Sequence, residues 1–221
     1  MPMLVTIGMK QNRGENIMVI GLIGGIGTGK SQIAELLKSN YNAYVIRADE
    51  IGHQIINKGT QAYIQIVELY GKGILDQDEN INRKALGDIV FKDTTKLDIL
   101  NNITHPLIYE EIIQMITKVQ KNNQYDFIVF EAAIMVEAMW TNLADVIWLI
   151  TCSKEVRIQR LIKSRAISKE KIENIISKQQ SEEALLSYAD AVIDNSLELE
   201  LTFQQVKNEI INALEAKHEK K

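Results

Sequence analysis

Five short apolar runs, Val19 to Ile23, Ala43 to Ile46, Phe127 to Phe130, Val146 to Ile150 and Ala191 to Ile193, alternate with longer stretches of helical period. The runs are continuous rather than alternating, so they read as strands buried on both faces, and five of them imply a parallel sheet. Ser31 to Leu37, Val156 to Ile162 and Leu199 to Leu214 space their apolar residues three and four apart, as helices covering a sheet do. The expected class is α/β, a three-layer fold around a five-stranded parallel sheet.

One connection is too long for a simple crossover. About 80 residues separate the second run from the third, where a crossover helix needs only about a dozen. The reading is a helical insert over about residues 57–122, within a core formed by 18–56 and 123–221. Helices are expected near Glu50 to Asn57, Gln61 to Tyr70, Arg83 to Phe91, Lys96 to Asn102 and Pro106 to Lys121, with Gly71 and Gly73 marking a turn.

Residues 1–17 are more polar and less patterned and read as an N-terminal appendage to a domain spanning 18–221. Met3 to Met9 is apolar but lacks a preceding basic residue and a following cleavage site, so it does not read as a secretory signal. No apolar run approaches the roughly 18 residues needed to span a bilayer. The single Cys152 has no internal disulfide partner, which points to a reducing, cytoplasmic setting. A net charge of -4 argues against a broad nucleic-acid surface, so any bound phosphate must meet a few placed cations.

Such a place exists at Gly24-Gly25-Ile26-Gly27-Thr28-Gly29-Lys30-Ser31, which fits the phosphate-binding P-loop pattern. It follows the first strand run and opens the next helix, the context the motif requires. Glycines allow backbone N–H groups to wrap around oxygens, and the helix start adds its unpaired donors and positive dipole end. Gly25 to Ser31 are therefore the expected ATP-binding residues, with Lys30 reaching the β and γ phosphates and Ser31 ligating Mg²⁺. A dinucleotide fingerprint fails because Lys30 stands where its third glycine is required.

Neither an Asn-Lys-x-Asp segment nor an Asp-x-x-Gly switch occurs in a suitable place, which disfavours a regulatory GTPase. A small-molecule kinase remains, with a second subdomain bringing the acceptor to the γ phosphate. Asp49 follows the second strand run and so lies at the carboxyl edge of the sheet, beside the P-loop. Two readings stand: a base that accepts the acceptor hydroxyl's proton, or a helix N-cap for Glu50 onward. Glu131 ends the third run as an acid near Mg²⁺ or as an ordinary strand-end carboxylate. Cys152, Trp140 and Trp148 read as packing residues, and His53, four residues after Asp49, as a local pairing partner.

Gly21 to Ser31, Ala48-Asp49, Asn82-Arg83, His105-Pro106, Glu137, Gln179 and Ala189-Asp190-Ala191-Val192-Ile193-Asp194-Asn195 together resemble the dephospho-CoA kinase family, from about Met18 to near the C-terminus. The resemblance implies transfer of the γ phosphate of ATP to the ribose 3′-hydroxyl of dephospho-CoA, with Asp49 as base and the insert as the acceptor-binding domain. It implies acceptor contacts from Asp49, Arg83 and His105, against which stand helix-start roles for Arg83 and, before Pro106, for His105. It also implies a lid over about residues 153–168, where Arg160 would act in catalysis and Arg165 on ATP, beside Arg157 and Lys163.

Three positions depart from the family pattern. Arg47 stands where an aspartate is usual two residues before the base, Ala133 replaces a proline, and Ser164 replaces the second of two lid arginines spaced four apart, with Arg165 following. A nucleoside or nucleotide monophosphate kinase and a non-catalytic ATP-binding module are the alternatives. Homo-oligomer formation is left open by the sequence.

Overall fold

A computed structural model describes residues 17–165 and 168–219, without the side chains of Arg165, His218 and Glu219. Five strands, β1 (Met18–Ile23), β2 (Ala43–Arg47), β3 (Phe127–Glu131), β4 (Val146–Thr151) and β5 (Ala191–Asp194), form one parallel sheet in the order β2-β3-β1-β4-β5. Period-two alternation divides the central strands between two cores. Met18, Ile20, Leu22, Phe127, Val129, Trp148 and Ile150 face α1 (Lys30–Tyr41) and α9 (Leu199–Glu219). Val19, Ile23, Ile128, Phe130, Ile147 and Leu149 lie in the opposite core with α2 (Ala48–Ile55) and α5 (Thr94–Asn122). With both faces covered, the middle strands must be apolar at every position. β5 differs from the expectation of two buried faces: it is an edge strand and leaves Val192 exposed. Ile17, assigned to the appendage, is buried in the second of these cores; residues 1–16 lie outside the described residues.

Two aspartates register the strand starts. Asp145 accepts from Val19 N at 2.7 Å, and Asp190 accepts from Ile147 N at 2.7 Å. Each carboxylate satisfies a main-chain donor where a ladder begins.

The long connection contains α2, α3 (Gln61–Tyr70), α4 (Arg83–Val90) and α5, with a short 3₁₀ turn over Lys72–Ile74. Ala62, Ile66, Ile74, Leu86 and Val90 form a small separate core, which Leu97, Leu100 and Ile103 of α5 join. The two helices expected near Lys96 to Asn102 and Pro106 to Lys121 are instead one continuous helix. Pro106 deprives one carbonyl of its N–H partner, at a cost of about 3 kcal/mol or more. Burial on both sides offsets it, at roughly 1.5–3 kcal/mol for each fully buried large apolar side chain. The N-terminal half of α5 packs into the small core, while Ile108, Ile112 and Val119 pack into the main one, so the proline stands where the helix passes from one core to the other.

After β4 come α6 (Lys154–Arg165), α7 (Lys169–Ser177) and α8 (Glu182–Leu186); the last two were not assigned from the sequence, although Ile172, Ile175 and Ile176 of α7 have helical spacing. Ser168 caps α7 through Lys171 N, and Ser181 caps α8 through Ala184 N. No helix among the described residues is long and apolar enough to cross a membrane.

Candidate active site

The P-loop joins β1 to α1 at the carboxyl edge of the sheet, and Asp49 and Glu131 come to the same edge from α2 and β3. Gly24 has φ +141°, and a Cβ there would lie 2.4 Å from the Ile150 carbonyl oxygen of β4. Gly29, at φ +96°, is the N-cap of α1, and its Cβ would fall 2.1 Å from Asn195 Nδ2. Both positions need glycine for conformation and for space. Gly24→Ala is expected to lower Tm by roughly 5 °C or more and to weaken ATP binding, because neither the left-handed φ nor the β4 backbone can yield cheaply. Thermal unfolding with and without ATP checks it.

Lys30 is buried; its ammonium folds back over the loop and donates to Gly24 O at 2.8 Å and Gly25 O at 3.2 Å. Thr28 Oγ1 also donates to Gly25 O, at 3.0 Å. The first turn of α1 has neither a side-chain cap nor an acidic residue, whereas side chains cap α3, α4, α5, α7 and α8. Its N–H groups and positive dipole end therefore suit an anion.

Ser31 Oγ donates to Glu131 Oε1 at 2.6 Å, across 100 residues of sequence. The other carboxylate oxygen, Glu131 Oε2, is buried and has no hydrogen-bond partner. A hydroxyl and a buried carboxylate oxygen without a hydrogen bond are hard oxygen donors, and this pair fits Mg²⁺ or its water shell. Among the described residues no group of three or more His, Cys, Asp and Glu has metal-binding geometry. Substrate phosphates would have to complete such a shell.

Asp49 is exposed in the first turn of α2, but the N-cap position is Arg47 and no cap bond involves a side chain. The capping reading of Asp49 is therefore corrected. The helix already includes Ala48, so Asp49 sits too far inside it to cap. His53, one turn later, meets the Arg83 guanidinium through Nε2 rather than pairing with Asp49. Arg83 is the first residue of α4, after Asn82, whose side chain accepts from Lys84 N and Ala85 N. His53 thus joins α2 to the start of α4, beside the small core of the insert.

His105 lies inside α5, one turn before Ile108, which corrects its reading as a residue preceding a helix start. Its ring meets Trp140 edge-on at 5.4 Å, and partial burial lowers its pKa. The neutral form is thus favoured in the folded state. Stability from this group is present above the ordinary histidine value of 6.5 and is lost as pH falls below it toward the lower folded value. His105→Gln should flatten that part of the Tm profile between pH 7.5 and 5; an unchanged profile would assign the loss elsewhere.

Arg157 and Arg160, after β4, hold the loop rather than lying open above it. Arg157 is buried; its Nε donates to Ile26 O at 2.9 Å and its Nη2 to Gln179 Oε1 at 2.9 Å. Gln179 Oε1 also accepts from Ile26 N at 3.0 Å. Ile26 packs with Ile158, Leu161, Ile172 and Ile176, which seats α6 and α7 on the tip of the P-loop. Arg160 donates to Asn195 O at 2.9 Å and to Thr28 O at 3.4 Å. Asn195 Nδ2 donates to Thr28 O at 2.9 Å, and its Oδ1 accepts from buried Thr202 at 3.1 Å. Arg165 ends α6, and its side chain lies outside the described residues. The clamps made by Arg157, Gln179 and Asn195 were not assigned by sequence reasoning. The available signals were the motif positions of Gln179 and Asn195; Arg157 had only its place in a basic cluster. A cleft beside the loop is lined by Gly24, Gly25, Ala133, Glu137 and Gln180.

The chain matches the family model for dephospho-CoA kinase over residues 18–200. It is 42% identical over 189 residues to the dephospho-CoA kinase of Aquifex aeolicus, covering 85% of this chain and 93% of that one, and 37% identical over 188 residues to that of Carboxydothermus hydrogenoformans, covering 85% and 90%. Among solved structures, dephospho-CoA kinase from Campylobacter jejuni superposes with a TM-score of 0.66 at 27% identity, covering 90% of this chain and 98% of that one. A shikimate kinase from Acinetobacter baumannii, at TM-score 0.50 and 12% identity over 92% of this chain and 96% of its own, shares the fold. With the loop, the acids and the sheet edge arranged as described, the chain belongs to the dephospho-CoA kinase family.

Proposed function

We propose that this protein transfers the γ phosphate of ATP to the ribose 3′-hydroxyl of dephospho-CoA, giving CoA and ADP, the last step of coenzyme A synthesis. The observation that carries the proposal is the family match over residues 18–200, which includes the P-loop and Asp49. The loop amides and the N-terminus of α1 receive the phosphates, and Lys30 exchanges its carbonyl partners for phosphate oxygens. Asp49 accepts the 3′-hydroxyl proton as the O3′–P bond forms and the bond from Pγ to the β,γ-bridging oxygen breaks, releasing ADP. Its exposure at the sheet edge, without a capping role, supports this. Ser31 and Glu131 would hold Mg²⁺, which when bound neutralises phosphate charge.

The insert at about 57–122 supplies the acceptor side, with Arg83 and His105 its candidate contacts. The segment at about 153–168 is the lid. In that lid Arg160 stabilises charge on the transferring phosphate once it leaves its carbonyl partners, and Arg165 binds ATP. A cytoplasmic location fits the free thiol of Cys152.

Release of ADP is measured with dephospho-CoA beside CMP, UMP, AMP and simple nucleosides. The proposal predicts the highest kcat/KM for dephospho-CoA. Equal or greater turnover with a mononucleotide contradicts it, and ATP binding without transfer to any acceptor would mark a non-catalytic module.

A further inference from the structure

Arg47 ends β2 and inserts its guanidinium among carboxylates from three elements. Its Nη2 meets Glu35 Oε1 of α1, its Nη1 lies 3.8 Å from Glu50 Oε1 of α2, and its Nε lies 3.6 Å from Glu131 Oε2 of β3. These contacts are unequal. Glu35 and Glu50 have side chains 50% and 64% exposed, where water screens an ion pair strongly; Glu131 is only 13% exposed. The inner contact is therefore the one least screened by water, although only the Glu35 contact is a hydrogen bond. Glu131 Oε2 has no hydrogen bond but faces the Arg47 guanidinium, while Oε1 holds Ser31. The result is a line from the hydroxyl that opens the donor helix, through the buried acid, to a fixed cation. In register, Arg47 stands directly across from Glu131, so the sheet itself sets the approach.

We propose that Arg47 is a positioning residue that serves as a built-in counter-cation for Glu131, holding this carboxylate against Ser31 and lowering the site's affinity for free divalent ions so that the metal enters with the nucleotide. The inference rests on the kinase reading of the site. The family resemblance gives an aspartate at this position, so the substitution changes the local charge by two units beside the acid. A positive charge about 6 Å from a divalent ion, even at a water-like dielectric, weakens ion binding by about tenfold.

The test is Mn²⁺ binding to the full chain without nucleotide, read from loss of the free-ion EPR signal. Arg47→Met, which removes the charge and keeps apolar length, should bind Mn²⁺ about tenfold more tightly than the unaltered protein. Arg47→Lys should stay within about twofold of it, because charge rather than fork geometry sets the effect. If folded Arg47→Met binds Mn²⁺ no more tightly, the proposal is overturned, whatever its thermal stability. Should Arg47→Met not fold, Arg47→Gln, which also removes the charge but keeps a polar head, decides by the same measurement. A folded Arg47→Gln should likewise bind Mn²⁺ about tenfold more tightly than the unaltered protein, and no gain would contradict the proposal. None of these readouts requires phosphoryl transfer, so failure of the acceptor assay and failure of this inference are distinguishable.

Discussion

Asp49→Asn is expected to lower kcat with dephospho-CoA by about 10²-fold or more while leaving ATP affinity near normal. A positioned base contributes about that factor, and the amide cannot take up the hydroxyl proton. The structural background for this expectation is clear: Asp49 is exposed in the first turn of α2 and does not cap that helix. Its loss should therefore leave the fold intact. Steady-state kinetics beside ATP titration checks the split. Near-normal kcat would remove Asp49 from the chemistry, whereas a parallel loss of ATP affinity would place it on the donor side.

Lys30→Ala should impair both ATP binding and transfer, because its charge meets the phosphates before and during the reaction. A second consequence comes from the protein alone. Lys30 is buried and donates to Gly24 O and Gly25 O, so truncation removes bonds that draw the loop around its ammonium. The loop retains support from Arg157, Gln179 and Asn195, which hold Ile26 and Thr28 from the α6, α7 and β5 sides. Global stability should accordingly fall less than nucleotide affinity. Unchanged ATP affinity and rate in a folded Lys30→Ala protein would contradict the P-loop assignment.

The strands were legible because a two-sided sheet writes itself as unbroken apolar runs, and each run extends by only a residue or so in the structure. β5 shows the limit of that rule, since a three-residue run cannot reveal that its strand lies at an edge. The continuity of α5 was not legible for another reason: a proline reads locally as a helix start, while the burial that carries the helix past Pro106 comes from two separate cores. Short helices α7 and α8 are each opened by a serine cap, Ser168 and Ser181, and were missed because neither spans more than about two and a half turns.

The site divides similarly. The loop was visible as a motif, and Asp49 and Glu131 were visible as acids at strand ends. Its internal bonds were not, because they link distant segments: Ser31 to Glu131 across 100 residues, Arg157 to Ile26 across 131, and Asn195 to Thr28 across 167. Arg47 could be seen as a departure from the family pattern, but the carboxylates around it emerge only when α1, α2 and β3 converge.

The central claim is the identity of the bond made. ATP labelled in its γ phosphate is incubated with dephospho-CoA and the protein, and the product is examined by ³¹P NMR and mass spectrometry. The account predicts one labelled phosphate per acceptor, as a monoester on the ribose 3′-oxygen, with an equivalent amount of ADP. Label appearing only as inorganic phosphate, or on another acceptor oxygen, would contradict it.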